Sequence, residues 1–316
     1  MFFLDISLGS VTIPFKEVYT SLTGGQASKS TWEYIIINYR LPKAITAFLV
    51  GVGLSISGLL MQTLFRNPLA GPDVLGLTSG AILAVAIVIL GAGLLPSFLN
   101  SILLSPYGLV VASTLGSVSV LLLVLLVAQR LRNTMAILIV GLMFGSFTSA
   151  IVGVLTYFSS AEQLQKFTFW SLGSLGNLSW TSISVLAVCV GFGLLLSAGS
   201  IKPLNALLLG ENYAKSMGLN YKKAQLIIIF ATSILAGSIT AFAGPIAFIG
   251  LAVPHIAKLT FQTSNHAVLY WSTSNIGRFI PINFCCAIAN QAGADIQIIR
   301  NRKGIRNIIG IINSHF

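Results

Sequence analysis

The chain has 316 residues, of which 55% are hydrophobic and only 8% are charged, and its mean hydropathy is +0.90. Soluble domains carry roughly 25% charged residues, so this composition excludes a water-soluble domain. The net charge of +11 is typical of some nucleic-acid-binding proteins, but here the basic residues lie between apolar blocks, as in membrane proteins.

Apolar stretches recur along the chain, most of them near the length of about 20 residues that a membrane-spanning helix needs. They are residues 41–62, 74–95, 106–128, 134–158, 181–200 and 224–243, a stretch at 244–262 that glycine and proline interrupt, and a weaker one at 267–289. The ten-residue alternation of a membrane β-barrel does not appear. The sequence therefore predicts an all-α fold, a polytopic transmembrane helical bundle.

Basic residues predict which loops face the cytoplasm. If the first of these stretches begins outside, the loops between spans place eight basic residues inside and Lys166 alone outside. The eight are Arg66, Arg130, Arg132, Lys202, Lys215, Lys222, Lys223 and Lys258. Cytoplasmic loops are enriched in Lys and Arg, which favours this orientation.

The first informative motif covers residues 39–81. It begins with Arg40 and Lys43 around Leu41-Pro42. Proline suits a first helical turn, so a helix is predicted to start here at the outer surface. The basic pair then either contacts lipid headgroups or binds an acidic partner.

The same motif continues with the turn Arg66-Asn67-Pro68-Leu69-Ala70-Gly71-Pro72. Its prolines and glycine predict that the chain leaves a helix and re-enters one. Non-helical backbone near a membrane is tolerated where protein packs it or where it lines a cavity.

Two further motifs lie between the later apolar stretches. Residues 204–225 (LNALLLGENYAKSMGLNYKKAQ) predict a short helix on the inside face, with Gly218 as its stop. Residues 239–261 (ITAFAGPIAFIGLAVPHIAKLTF) contain a second break at Gly244-Pro245.

These motifs together resemble the FecCD family of ABC importer permeases, which serve iron-siderophore, haem and cobalamin uptake. The matching segments are DISLGSVTIP, RLPKAITAFLVGVGLSISGLLMQ, RNPLAGPDVLGLTSGA, LLLGENYAKSMGLN and AGPIAFIGLAVPHIAKL, in that order. The resemblance implies the type II importer architecture in the bacterial cytoplasmic membrane. It also implies a second permease subunit as a homodimer or related pair, an ABC ATPase subunit inside, and a substrate-binding protein outside.

The resemblance also assigns residues to roles. It implies that Arg40 and Lys43 meet acidic residues of the binding protein. It implies that Gly210, Glu211, Ala214 and Gly218 form the loop that couples the permease to the ATPase. The turns that line or support the pathway would contain Arg66, Asn67, Pro68, Gly244 and Pro245.

Both ends of the chain depart from the family pattern. The first span of the family is not evident before DISLGS, and the pattern fades after residue 264. We therefore expect a permease domain at residues 1–264 and a degraded or divergent segment at 265–316. Arg300, Arg302, Lys303 and Arg306 each oppose insertion by about 2.5–3.5 kcal/mol at a bilayer centre, so residues 290–316 are predicted not to span the membrane.

The predicted function is import of an iron chelate (siderophore) or a related metal-organic nutrient, with haem or cobalamin as alternative cargo. No GxxxxGK[ST] phosphate loop occurs in the sequence, so a separate chain would hydrolyse ATP and this chain would not be an enzyme. The rival is an ion-coupled secondary transporter, which the scarcity of acidic residues disfavours. Asp73 is interpreted as a helix cap, and no catalytic group, metal site or cofactor is expected.

Overall fold

The computed structural model of the chain describes residues 13–23, 29–94, 102–130, 134–176, 178–209 and 211–278. Within these residues the secondary structure is helical and no strand occurs, which confirms the predicted all-α bundle. In chain order the helices are α1 (Phe15–Leu22), α2 (Ser30–Ile35), α3 (Leu41–Leu64), α4 (Leu77–Leu90), α5 (Pro106–Arg130), α6 (Thr134–Phe158), α7 (Ala161–Ser171), α8 (Trp180–Gly199), α9 (Ile201–Leu209), α10 (Glu211–Ser216), α11 (Tyr221–Ala243), α12 (Ile249–Phe261) and the helical residues 266–278, here α13.

Among the described residues, five helical stretches are long and apolar enough to cross a membrane. They are Ser30–Leu64, Pro106–Val124, Ile139–Phe158, Trp180–Gly199 and Tyr221–Ala243. Helices α4 and α12 have 14 and 13 residues. At 1.5 Å per residue they measure only about 20 Å, short of the roughly 30 Å hydrocarbon core.

The two short helices correct the predicted spans at 74–95 and 244–262. The first residues of both stretches are non-helical. Helix α4 begins only after Gly76, whose φ of 80° is left-handed, and α12 begins only after Phe248, whose φ is 67°. Pro72 and Gly76 at the first stretch, and Gly244 and Pro245 at the second, explain why the backbone does not become helical earlier.

The predicted helix start at Leu41 is also corrected. Helix α2 continues through a π-helical turn, Ile36–Arg40, directly into α3, which makes one helical stretch of 35 residues. Pro42 therefore lies inside it, where it has no N–H to donate to residue 38. The π turn accommodates this, because Leu41 N–H donates to the carbonyl of Ile36, five residues earlier.

Helices α3 and α11 form the centre of the bundle. The most apolar windows of their spans are 83% and 78% buried, whereas the window in α6 is only 11% buried. The main core joins residues of α3, α4, α5, α8 and α11, with Leu60, Leu121 and Ile228 fully buried. Helix α6 therefore lies at the periphery of the described bundle, with its apolar side chains exposed.

Glycine allows the closest helix contact, between α3 and α12. A Cβ atom added at Gly58 would overlap the carbonyl oxygen of Gly250, and one added at Gly250 would lie 3.1 Å from the carbonyl oxygen of Leu54. Both obstructing atoms belong to the backbone, so neither can rotate away. Only glycine lets the two helices approach this closely.

We predict that Gly58→Ala lowers the stability of the purified full-length chain by about 1–3 kcal/mol, because overpacking separates α12 from α3. The measurement is the thermal unfolding midpoint in detergent. Gly153→Ala in α6 is the control, since a Cβ there meets no atom within 4 Å. Equal midpoints for the two variants would contradict the prediction.

Candidate functional site

Two non-helical segments of the bundle meet, and Asp73 joins them. We name residues 66–76 the first breaker segment and residues 244–248 the second breaker segment. The Oδ2 of Asp73 accepts a hydrogen bond from the backbone N–H of Phe248 at 3.2 Å, and Oδ1 accepts one from the Thr78 hydroxyl at 2.6 Å. The N-cap position of α4 is Gly76, so the interpretation of Asp73 as a cap was wrong.

The first breaker segment folds as the turn that its prolines predicted. Asn67 is buried, and its Oδ1 accepts a hydrogen bond from Leu69 N–H at 2.9 Å, which stabilises the turn locally. Arg66 has a left-handed φ of 48°, and both it and Pro68 are exposed. A left-handed φ is uncommon outside glycine, so contacts of Arg66 must maintain it.

Arg66 contacts the inner-face helix α9. Its Nε and Nη2 both donate to the carbonyl oxygen of Leu207, at 3.1 and 2.9 Å. Leu207 lies in the last turn of α9, where carbonyls have no intrahelical partner and the helix dipole attracts a cation. Arg66 therefore connects the inner end of α3 to α9.

The second breaker segment starts at a close contact with helix α7. Gly244 has a φ of 75°, and a Cβ added there would lie 2.6 Å from the carbonyl oxygen of Trp170. The next residue, Pro245, is partly buried. The ends of α11 and α7 are further joined by the hydrogen bond from Ser174 N–H to the Ala243 carbonyl, 3.0 Å long.

The motif at 204–225 forms two short helices, α9 and α10, where one was predicted. Ala214 is fully buried against the main core, so its side chain faces the bundle. Gly218 ends α10 with a φ of 81°, and Leu219 N–H donates to the Ala214 carbonyl at 3.0 Å, as in a Schellman cap. Gly210 and the side chain of Glu211 lie outside the described residues.

Two exposed residues at α10, on the side that faces away from the bundle, were not predicted as site residues from the sequence. Tyr213 and Met217 are 52% and 60% exposed, one helical turn apart, and Leu209 beside them is 63% exposed. The sequence did contain a signal for this pair. Tyr213 and Met217 are four residues apart and share one helix face, and an exposed apolar face on a polar helix indicates a binding surface.

A buried hydrogen-bond network joins α3, α9 and α13. His266, at the start of α13, is 1% exposed. Its Nδ1 donates to Oδ1 of Asn205 in α9 at 2.9 Å, because an amide oxygen only accepts, and its Nε2 lies 2.8 Å from the hydroxyl of Thr63 in α3. This network could not be predicted from the sequence, since the residues are far apart in the chain.

Arg40 and Lys43 lie at the opposite end of α3. Both are partly buried and three residues apart, so they share one face of the helix. Lys43 lies about 32 Å along the helix axis from Leu64, which is close to the thickness of the hydrocarbon core. The helix geometry thus puts the basic pair at one membrane boundary and Arg66 at the other.

Acidic and metal-ligating residues are sparse in the described part of the chain. No group of three or more His, Cys, Asp or Glu residues that could hold a metal ion occurs there. Glu162 and Lys166 form an exposed ion pair of 2.7 Å on α7, outside the spans. The hydrogen bond from Lys166 lowers the pKa of Glu162.

Comparisons with known proteins agree with this architecture. The model of the FecCD transport family matches residues 1–298. The hemin transport system permease protein HmuU of Yersinia pestis is 34% identical over 264 residues, 83% of this chain and 76% of that protein. The vitamin B12 import system permease protein BtuC of Vibrio cholerae is 34% identical over 273 residues, 85% of this chain and 76% of that protein.

Solved structures show the same fold. A metal-chelate-type ABC transporter in an inward-facing conformation gives a TM-score of 0.73 at 24% identity, covering 96% of this chain and 95% of that chain. PsaBC from Streptococcus pneumoniae gives 0.56 at 16% identity, covering 89% and 95%. With the family match over most of its length, the chain belongs to the FecCD transport family and is a membrane-spanning permease subunit of an ABC importer in the cytoplasmic membrane.

Proposed function

We propose that this chain, as one of a pair of permease subunits, carries an iron chelate or a related metal-organic nutrient. The observation that supports this most is the similarity, at 34% identity over more than four fifths of the chain, to permeases named for hemin and for vitamin B12. Both of those cargos are metal-containing chelates. The two breaker segments, which meet at Asp73, provide the non-helical backbone that a pathway for such a cargo needs.

Uptake by cells that lack their own chelate importers tests the cargo. The chain is expressed with its cognate ATPase and binding protein, and radiolabelled ferric hydroxamate, haem and cyanocobalamin are supplied separately. We expect ATP-dependent accumulation of one of them, which persists when a protonophore collapses the ion gradient. Uptake that stops with the gradient, and that continues without the ATPase, would instead establish the ion-coupled transporter.

A separate ATPase is proposed to dock on α10 and its flanking residues. By resemblance, this surface contains Gly210, Glu211, Ala214 and Gly218. We assign different roles to its residues. Buried Ala214 and the left-handed Gly218 set the position of α10. The exposed apolar pair Tyr213 and Met217 supplies the contact area that a partner would bury.

We predict that Met217→Ala reduces copurification of the ATPase, because truncation of a hot-spot side chain at an interface costs more than about 1 kcal/mol of binding. The measurement is the ATPase-to-permease ratio after affinity purification. Met143→Ala in α6 is the matched control, since Met143 is similarly exposed, at 65%, but lies on a different helix. Equal ratios for both variants would remove α10 from the docking surface.

The substrate-binding protein is proposed to dock at the outer end of α3, where Arg40 and Lys43 lie on one face. Positive charge at that boundary attracts an acidic partner and speeds its association. Screening weakens such attraction over a Debye length of about 8 Å at physiological ionic strength.

We predict that the double variant Arg40→Glu/Lys43→Glu slows association of the binding protein, and that added salt reduces the difference from wild type. Surface plasmon resonance on the reconstituted transporter gives the association rate. Lys202→Glu at the inner face, an exposed site, controls for a change in overall charge. If association is as fast as in wild type, the basic pair contacts lipid headgroups instead.

A further inference from the structure

A cavity of about 370 Å³ opens at the inner end of the bundle, between α9, α12 and α13. Its lining includes Leu208, Lys258, Thr263, Ser264, His266 and Leu269. None of these residues belongs to the proposed cargo pathway or to the docking face of α10. The cavity is thus a second concave feature, separate from the sites described above.

The polar part of the cavity presents hydrogen-bond donors and a positive charge. The ammonium of Lys258 has three donors, and in the described part of the chain it makes one hydrogen bond, to Oε1 of Gln62 at 3.0 Å. The Gln62 amide is fixed because its Nε2 donates to the Leu251 carbonyl at 3.0 Å. Lys258 is partly buried.

A partly buried cation with spare donors is costly unless an anion approaches it. The Thr263 hydroxyl accepts from Asn265 N–H at 3.2 Å, which leaves its own hydrogen available to a ligand. Among the described residues that line the cavity, none carries a carboxylate. The chemistry that fits is therefore a phosphate or another compact oxyanion.

Helices α12 and α13, which contribute to the lining, also carry exposed apolar side chains. Leu259 and Phe261 on α12 are 63% and 49% exposed, and Trp271 on α13 is 68% exposed. Tryptophan is enriched at membrane interfaces, and exposed apolar side chains beside a basic pocket suit acyl chains. Basic pockets between helices on the cytoplasmic side are known to bind anionic lipid headgroups.

We propose that this cavity binds the phosphate of an anionic phospholipid from the inner leaflet, with Lys258 as the charge contact and the α12–α13 surface against the acyl chains. The lipid would join α9 to α12 and α13 at the inner face. Bound lipid stabilises the folded state by mass action, so it would hold these helices in one arrangement.

Native mass spectrometry of the full chain in detergent tests the proposal, with phosphatidylglycerol as the titrated probe. We expect one tightly bound phosphatidylglycerol, and an affinity about tenfold weaker in Lys258→Gln, because charge-assisted hydrogen bonds are lost. Lys258→Arg should restore most of the affinity. Lys222→Gln removes an exposed charge from the same side of the bundle and should leave the affinity unchanged.

Two competitors separate the possible sources of the anion. Phosphatidylcholine carries the same phosphate without net charge and should bind weakly, and inorganic phosphate should displace phosphatidylglycerol poorly because it has no acyl chains. Displacement by inorganic phosphate at equal concentration would assign the cavity to free anions and overturn the lipid proposal.

Unchanged affinity in Lys258→Gln, or equal weakening in Lys222→Gln, would also overturn the proposal. If Lys258→Gln does not fold, Ser264→Trp reduces the cavity while it keeps the charge. Phosphatidylglycerol binding as in wild type by that folded variant would exclude the cavity as the site.

Discussion

The hydrogen bond between Asp73 and the backbone of Phe248 is the contact on which the inner architecture depends. Inside a membrane every backbone polar group needs a partner within the protein, so a chain that leaves its helix at bilayer depth must be held there. The second breaker segment leaves its helix in this way. Helix α12, which follows it, is too short to reach across the membrane and must begin part-way through it. The close contact of Gly58 with Gly250 keeps α12 packed against α3 beside this segment.

Helix α3 also makes the contacts that connect the proposed pathway to α9. Its inner end reaches α9 twice, once through Arg66 and the Leu207 carbonyl and once through Thr63, His266 and Asn205. Helix α9 leads directly into α10, the proposed docking element. Polar contacts of α3 therefore resist a displacement of α9 and α10. The geometry suits a subunit that converts an event at its inner surface into a movement of the pathway.

Much of this arrangement could be predicted from the sequence, and the exceptions have physical causes. Apolar length and the positions of Pro and Gly predicted the bundle, the turn at Arg66 and the break at Gly244, because these signals are local. The early helix start at Ser30 was missed, since a proline normally begins a helix and a π turn has no sequence signature. The role of Asp73 and the network around His266 were missed because their partners are distant in the chain. The division at residue 264, the orientation in the membrane and the roles of the docking residues stay predictions, and the tail at 290–316 lies outside the described residues.

The uninterrupted helix from Ser30 to Leu64 has a mechanical consequence. A helix of this length is a rod of about 52 Å, and it carries Lys43 near one membrane boundary and Thr63 at the other. If the tight contact at Gly58 acts as the fulcrum, Lys43 lies about 22 Å from it and Thr63 only about 7 Å. The two arms differ about threefold in length, so a tilt that moves the inner end by a fraction of an ångström moves the outer end about three times as far. A tilt about this contact therefore gives the Lys43 end of the helix the larger displacement and the Thr63 end the smaller.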